Sequence, residues 1–356
     1  DWSSDVCSSD LKKRPSIISR LFATLVSSIR RLDQPGIPVP VRQFTPVQVA
    51  PRQIRLTREI LTGQRSVILV LGARSDLGEA FCSRLSALGI AILAISRTPK
   101  SLAPATYTVW GSEKLIIDFA RAIELKVEAL VTFCPIWQLA SYETYLAAQL
   151  PSDAPWIVMS STSITTKACS SQKESSVIAE QLRRGEEWVK ASRASSGAQT
   201  LIIRPTIIYG GSKNRNVNLI RHLAKTLHVR PIFTFLTGKR NPVHSDDIAA
   251  WICQRIQSQS EKVAASGSSL ATVEVQGGEE VSFAEFLDRV VSSTPGRKIE
   301  LRFGKSIMKF VILVLRSTSK RHQIPKDFIE RLSKDFVFDN KASSELGFFA
   351  PRKFRP

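Results

Sequence analysis

Residues 66–81, SVILVLGARSDLGEAF, decide the fold. Ser66–Leu71 is a short apolar run of β type that stops at Gly72. From Asp76 the spacing changes, and DLGEAFCSRLSAL reads as a helix. A buried strand, a glycine turn and a helix start in direct succession let backbone N–H groups and a helix N-terminus meet a diphosphate. The candidate binding residues are Gly72, Arg74, Ser75, Asp76, Leu77 and Gly78. Ser75 stands where a middle glycine is often found, which narrows the backbone approach there.

The next strand, AILAISR, ends in Ser96-Arg97, twenty-five residues after Gly72. An acidic side chain at that point would bond the adenosine ribose of NAD. An arginine suits the extra phosphate of NADP, so Arg97 predicts NADP in preference to NAD. Further on, TYTVW, VEALVTFCP, PWIVMSSTS and AQTLIIRPTIIYG read as strands, with EKLIIDFARAI and VIAEQLRRGEEWVKAS as helices between them. Apolar strands alternating with helices predict an α/β fold, a Rossmann-type doubly wound parallel sheet covered on both faces. A small C-terminal substrate-binding cap completes the expected architecture. No apolar run reaches the ~20 residues of a membrane span; FVILVL at 310–315 is far shorter.

With 43% hydrophobic residues in 356, the chain can bury a substantial core. Its cysteines, Cys7, Cys82, Cys134, Cys169 and Cys253, form no Cys-x-x-Cys pair and have no histidine at ligand spacing. Neither a disulfide framework nor a metal site is expected, and a reducing cytoplasm fits. The net charge of +19 is uneven, because residues 12–65 carry eleven Lys/Arg against two acids. A second basic patch surrounds Lys305, Lys309, Arg316, Lys320 and Arg321. Without interleaved aromatics or a recognised motif, this charge does not predict a nucleic-acid partner.

The first eleven residues, DWSSDVCSSDL, are mostly small, polar or acidic in a basic chain, with three aspartates and no Lys or Arg, and they lack an initiator methionine. They reverse-translate to a common sequencing-library adapter, so residues 1–11 are expected to be an artefact of translation. Residues 12–63 read as a basic leader followed by a Pro-rich linker. Ile17, Ile18, Leu21, Phe22, Leu25, Val26, Ile29 and Leu32 share one helical stripe, which leaves weak contact with a membrane surface open. The division expected downstream is a dinucleotide-binding domain over 64–276, to whose cap 211–240 contributes, and a C-terminal substrate-binding part over 277–356.

SSTS at 160–163, LIIRPTIIYG at 201–210, NPVHSDDIAAWI at 241–252 and FVFDNKASSELGFFAPRKF at 336–354 carry a family resemblance. With the glycine loop, they make the chain from Val67 onward resemble the extended short-chain dehydrogenase/reductases, the NAD-dependent epimerase/dehydratase family. PIW at 135–137 and AEQLRRGEE at 179–187 are similar to segments of nucleoside-diphosphate-sugar epimerases. The resemblance implies a nicotinamide cofactor, a nucleotide-sugar-like substrate, and cofactor contacts from Pro135, Ser160 and Pro205. A homodimer is left open. Asp246 or Asp247 reads as a helix N-cap, and His244 as a substrate contact.

The resemblance also implies a Tyr-x-x-x-Lys pair on the helix after the fifth strand, where a tyrosinate acts as acid/base and a lysine holds the ribose. Thr162 matches the Ser/Thr that orients substrate. The helix departs from the pattern, with Ala179 at the tyrosine position and Arg183 at the lysine position. Arg183 could still hold a ribose or a phosphate. Tyr209 and Lys213 have the right spacing, but Gly210 and Gly211 between them make a helix improbable. Two functions follow: an oxidoreductase or epimerase with another acid/base, for which Tyr209, His244 and a substrate-bound water are the candidates, or a catalytically silent NADP-binding sensor or scaffold.

Overall fold

The computed structural model describes residues 66–96, 107–110, 126–168, 173–261, 270–306 and 328–356. The adapter-like stretch, the leader, Arg97, the helix expected at 113–123, the FVILVL run and most of the basic patch after Lys305 lie outside the described residues.

Six strands come first: β1 (Ser66–Leu71), β2 (Ile92–Ser96), β3 (Tyr107–Trp110), β4 (Lys126–Thr132), β5 (Trp156–Met159) and β6 (Thr200–Pro205). Short strands follow as β7 (Ile208–Tyr209), β8 (Val229–Phe233), β9 (Lys239–Arg240) and β10 (Val243–His244), then β11 (Leu270–Val275), β12 (Val281–Ser282) and β13 (Ile299–Phe303). Seven of them form one sheet in the order β11-β6-β5-β4-β1-β2-β3, and every neighbouring pair is parallel. The order reverses between β1 and β4, which opens a crevice at the C-terminal ends of those strands.

The helices are α1 (Asp76–Ala87), α2 (Glu143–Gln149), α3 (Ser163–Thr166), α4 (Lys173–Arg193), α5 (Arg215–Leu227), α6 (Ser245–Glu261), α7 (Phe283–Ser292), α8 (Phe328–Ser333) and α9 (Lys341–Glu345). The β1 run explains why the sheet is covered twice. Ile68 and Val70 face a core shared with Leu77, Phe81 and Leu85 of α1 and Ile248 and Ile252 of α6. Val67, Leu69 and Leu71 face the other core, with Ile136, Leu139 and Leu146 and with Leu182 and Val189 of α4. All five β1 side chains are at most 3% exposed, and each contributes roughly 1.5–3 kcal/mol by leaving water.

A third, smaller core gathers Tyr209, Val217, Val281, Phe286, Val290 and Phe354 from β7, α5, β12, α7 and the chain end. Here β8 pairs parallel with β13, and β9 pairs antiparallel with β12. Arg240 pins the neighbouring segment. Its guanidinium is buried over the Phe336 ring at 4.4 Å and donates to the carbonyls of Lys334 (2.6 Å) and Arg331 (3.1 Å). Burial pulls its pKa down to about 10. Among the described residues no helix is long and apolar enough to cross a membrane.

Candidate functional site

The phosphate loop sits where the strand order reverses. Gly72 has φ +71°, and a Cβ there would lie 2.6 Å from Cys134 N and 2.7 Å from the Phe133 carbonyl carbon. The end of β4 therefore passes too close for a side chain. Gly78 is equally confined, since its Cβ would meet Gly72 O at 2.7 Å. Ser75 fills the place of the middle glycine by capping α1. Its Oγ accepts from Gly78 N at 3.0 Å and donates to Gly72 O at 3.0 Å. Glu79 N–H returns to Ser75 O at 2.8 Å. No acceptor among the described residues meets the Asp76 and Leu77 N–H groups at the helix start. Two confined glycines and two open main-chain donors at a helix start are an arrangement that can meet an anion.

Asp76 itself turns outward, and both its oxygens accept from Lys213 N, at 2.9 and 3.0 Å. Leu77 is buried against the sheet, so its side chain packs while its main chain faces the loop. Arg74 offers its carbonyl to Lys213 Nζ at 2.8 Å. Pro135 begins the 3-10 turn Ile136–Tyr142 just after β4.

Across the sheet edge, Ser160 and Thr162 follow β5. Ser160 Oγ donates to Glu186 Oε1 at 2.5 Å. Glu186 is 2% exposed and also receives Arg204 Nε (2.9 Å) and Nη2 (2.6 Å). The carboxylate holds the Arg204 pKa above its usual value. Pro205 ends β6, and its carbonyl accepts from Thr162 N at 3.2 Å and from Thr162 Oγ1 at 3.1 Å. Thr162 is buried with its proton given to that carbonyl, so the expected substrate-orienting hydroxyl is engaged in joining β5 to β6.

Glu186 shows which side of α4 faces the sheet. Residues four and eight before it, Leu182 and Ile178, share its face, and Ala179 is buried beside them. Arg183 lies about a quarter turn round the helix from that face. Its side chain is 54% exposed and bonded to Glu180 and Glu187, both 2.7 Å away. The structure does not bring Arg183 to the sheet edge, because a one-residue change of register on a helix turns a side chain by about 100°. Neither register supplies a tyrosine and a lysine there.

Tyr209 and Lys213 form no helical pair, as Gly210 and Gly211 between them lead one to expect. Residues 210–214 between β7 and α5 are not helical, so Tyr209 and Lys213 share no helix face. The Tyr209 ring is 2% exposed between His244 and Phe354, with centroids 5.0 and 4.9 Å away. Its hydroxyl donates to Lys353 O at 2.9 Å, and burial pushes its pKa up. An acid/base tyrosine needs the opposite shift. Replacing Tyr209 by Phe is expected to cost about 1 kcal/mol of stability, the net worth of one hydrogen bond, and to leave any turnover intact. A chemical denaturation curve and a rate assay check the two halves.

His244 caps α6. Its Nδ1 accepts from Asp246 N at 3.1 Å and lies 3.3 Å from Arg352 Nη1. Asp246 and Asp247, expected as N-caps, instead stand inside the first turn of the helix. With Nδ1 accepting, the ring proton is on Nε2, and burial lowers the His244 pKa. Asp247 is buried on Arg352 at 2.6 Å, and its second oxygen has no partner. Beyond them lies an open pocket of about 440 Å³ lined by Tyr209, His244, Pro351, Arg352, Lys353 and Arg355. The lone His244 gave no sign in sequence that its ring would replace an aspartate as cap.

No family model matches the sequence, and no curated protein matches it. Solved structures do match the fold. The UDP-glucose 4-epimerase of Brucella ovis in complex with NAD is 14% identical with TM-score 0.53, over 80% of this chain and 93% of that one. MoeE5 in complex with UDP-glucuronic acid and NAD is 16% identical with TM-score 0.53, over 81% and 95%. The UDP-glucose 4-epimerase of Thermotoga maritima is 11% identical with TM-score 0.54, over 81% and 94%. The chain therefore shares the Rossmann-type fold of these structures across nearly their whole length.

Proposed function

We propose that this chain binds a nicotinamide dinucleotide and acts on a nucleotide-linked sugar or a related metabolite, as an epimerase/dehydratase-type oxidoreductase. The observation that carries the reading is the phosphate loop, with Gly72 and Gly78 confined by backbone and two helix N–H groups open beyond Ser75. Two of the similar structures hold NAD, one of them together with UDP-glucuronic acid, which supports the same ligand classes here. A bound nicotinamide would supply hydride exchange with a sugar carbon. The residues of this chain bind the diphosphate on the α1 N-terminus, with Pro135 and Ser160 flanking the crevice. Arg97 after β2 is the reason to favour NADP over NAD. His244, beside the 440 Å³ pocket, remains the candidate substrate contact.

A second reading has its own support. Ile178, Ala179 and Leu182 bring no group that can move a proton to the sheet-facing side of α4, its one carboxylate, Glu186, is held by Ser160 and Arg204, and Thr162 is bonded to Pro205 O. This favours a protein that binds the dinucleotide without turnover, as a sensor or scaffold.

Calorimetric titration of the full chain with NADPH and then NADH tests both. Micromolar NADPH binding, weakened at least tenfold by Arg97→Ala, is the expected result. Preference for NADH overturns the Arg97 role alone. Turnover of UDP-sugars separates the enzyme from the silent binder.

A further inference from the structure

The cation that the α4 helix does not provide stands elsewhere in the crevice. We propose that Lys213, carried on residues 210–213, supplies the positive charge that holds the dinucleotide diphosphate in the phosphate loop. The inference rests on the dinucleotide reading above and names a binding residue for it.

The segment that carries Lys213 is pinned at both ends. Gly210 has φ +101°, and a Cβ there would meet the His244 ring at 2.3 Å. Gly211 lies so close to Asp76 that a Cβ would come within 1.9 Å of its carboxyl carbon. Lys213 N–H then closes on both oxygens of Asp76. Two glycines thus thread the chain between the starts of α6 and α1, and the main chain fixes where Lys213 emerges.

Its side chain reaches back over the loop. Nζ donates to Arg74 O at 2.8 Å and pairs with the Glu79 carboxylate. An ammonium has three donors, and no third acceptor among the described residues meets this one. The charge balance needs it. Asp76 and Glu79 both lie in the first turn of α1, where they suit the helix dipole but repel an incoming diphosphate. With Lys213 over the loop, the repulsion is offset at the point where the Asp76 and Leu77 N–H groups are open. A lysine suits the task, because a compact charge on a flexible stem can leave Glu79 for a phosphate oxygen without moving the main chain. The main-chain bond to Asp76 survives that exchange.

The test is a titration of the full chain, wild type against Lys213→Ala and Lys213→Gln, with NADPH and NADH at low and high salt. Lys213→Gln keeps the reach and loses the charge, so it serves if the alanine variant folds poorly. Both variants are expected to bind the dinucleotide at least ~10-fold more weakly, with a flatter salt dependence. Inorganic pyrophosphate should compete with the dinucleotide on wild type and compete less well on either variant. Adding Glu79→Gln to Lys213→Gln should restore part of the affinity. Equal affinity in wild type and variants overturns the role of Lys213 while leaving the dinucleotide reading in place. Tighter binding by the variants would show the segment to be an obstruction, which also overturns it. A wild-type chain that binds neither dinucleotide overturns both.

Discussion

Gly72→Ala is expected to destabilise the protein by about 3 kcal/mol, from the sum of a left-handed backbone and a forced displacement of β4. The first part is common to any glycine at this φ. The second is particular, because the new Cβ would lie 2.6 Å from Cys134 N and 2.7 Å from the Phe133 carbonyl carbon, both main-chain atoms. Main chain cannot step aside as the tip of a side chain can. Gly89 makes the control, since it has the same φ of +71° and nothing within 4 Å of a built Cβ. Gly89→Ala should cost only the backbone term, about 1 kcal/mol. Thermal unfolding followed by circular dichroism reads the difference, with a fall in Tm of roughly 5–10 °C for Gly72→Ala. Dinucleotide affinity should fall for Gly72→Ala and hold for Gly89→Ala. Equal destabilisation by the two substitutions would mean that the β4 end does not confine the loop.

The second large effect is expected at Glu186. Its carboxylate is 2% exposed and gathers Ser160 Oγ and two nitrogens of Arg204. Removing it by Glu186→Ala leaves Arg204, 22% exposed, with Glu274 at 3.8 Å as its remaining acidic partner among the described residues. An uncompensated, partly buried charge of this kind costs about 3 kcal/mol. The same reasoning says that removing both charges is far milder. Glu186→Leu together with Arg204→Met should recover most of the loss, because two well-packed apolar chains need no partners. Chemical denaturation of the two single variants and the double variant closes the cycle. A double variant no more stable than Glu186→Ala would show that the pair is not the source of the cost.

Much of the fold could be read from local signals. SVILVL, AILAIS and LIIRP are apolar on both faces, which only a doubly covered parallel sheet requires, and the loop between β1 and α1 was legible from its glycines. The site was harder. The α4 register depends on which acid faces inward, and GEEWV contains two adjacent ones. Glu186 is the inward one because Arg204 awaits it on β6, a tertiary fact that no helical period contains. One usable sign existed: Leu182 and Val189 flank Glu186 at helical spacing, which places it, and not Glu187, in the apolar stripe. Lys213 gave no such sign. It lies 134 residues from Glu79 in the chain, and only the path through Gly210 and Gly211 joins them.

The third core has a consequence for how the molecule is made. Phe354 stacks on Phe286 at 4.8 Å, its N–H goes to Glu279, and its carbonyl receives Arg289. Tyr209 reaches Lys353 across 144 residues. On a ribosome, the sheet strands through β11 are all synthesised well before this tail, so they can pair while the Tyr209 cluster still lacks one wall. Contacts of such long sequence separation form late, since the loop must be closed before they return any stabilisation. The sheet would thus take shape first and the third core last, leaving the rings of Tyr209 and Phe286 as the sticky surface of the nascent chain.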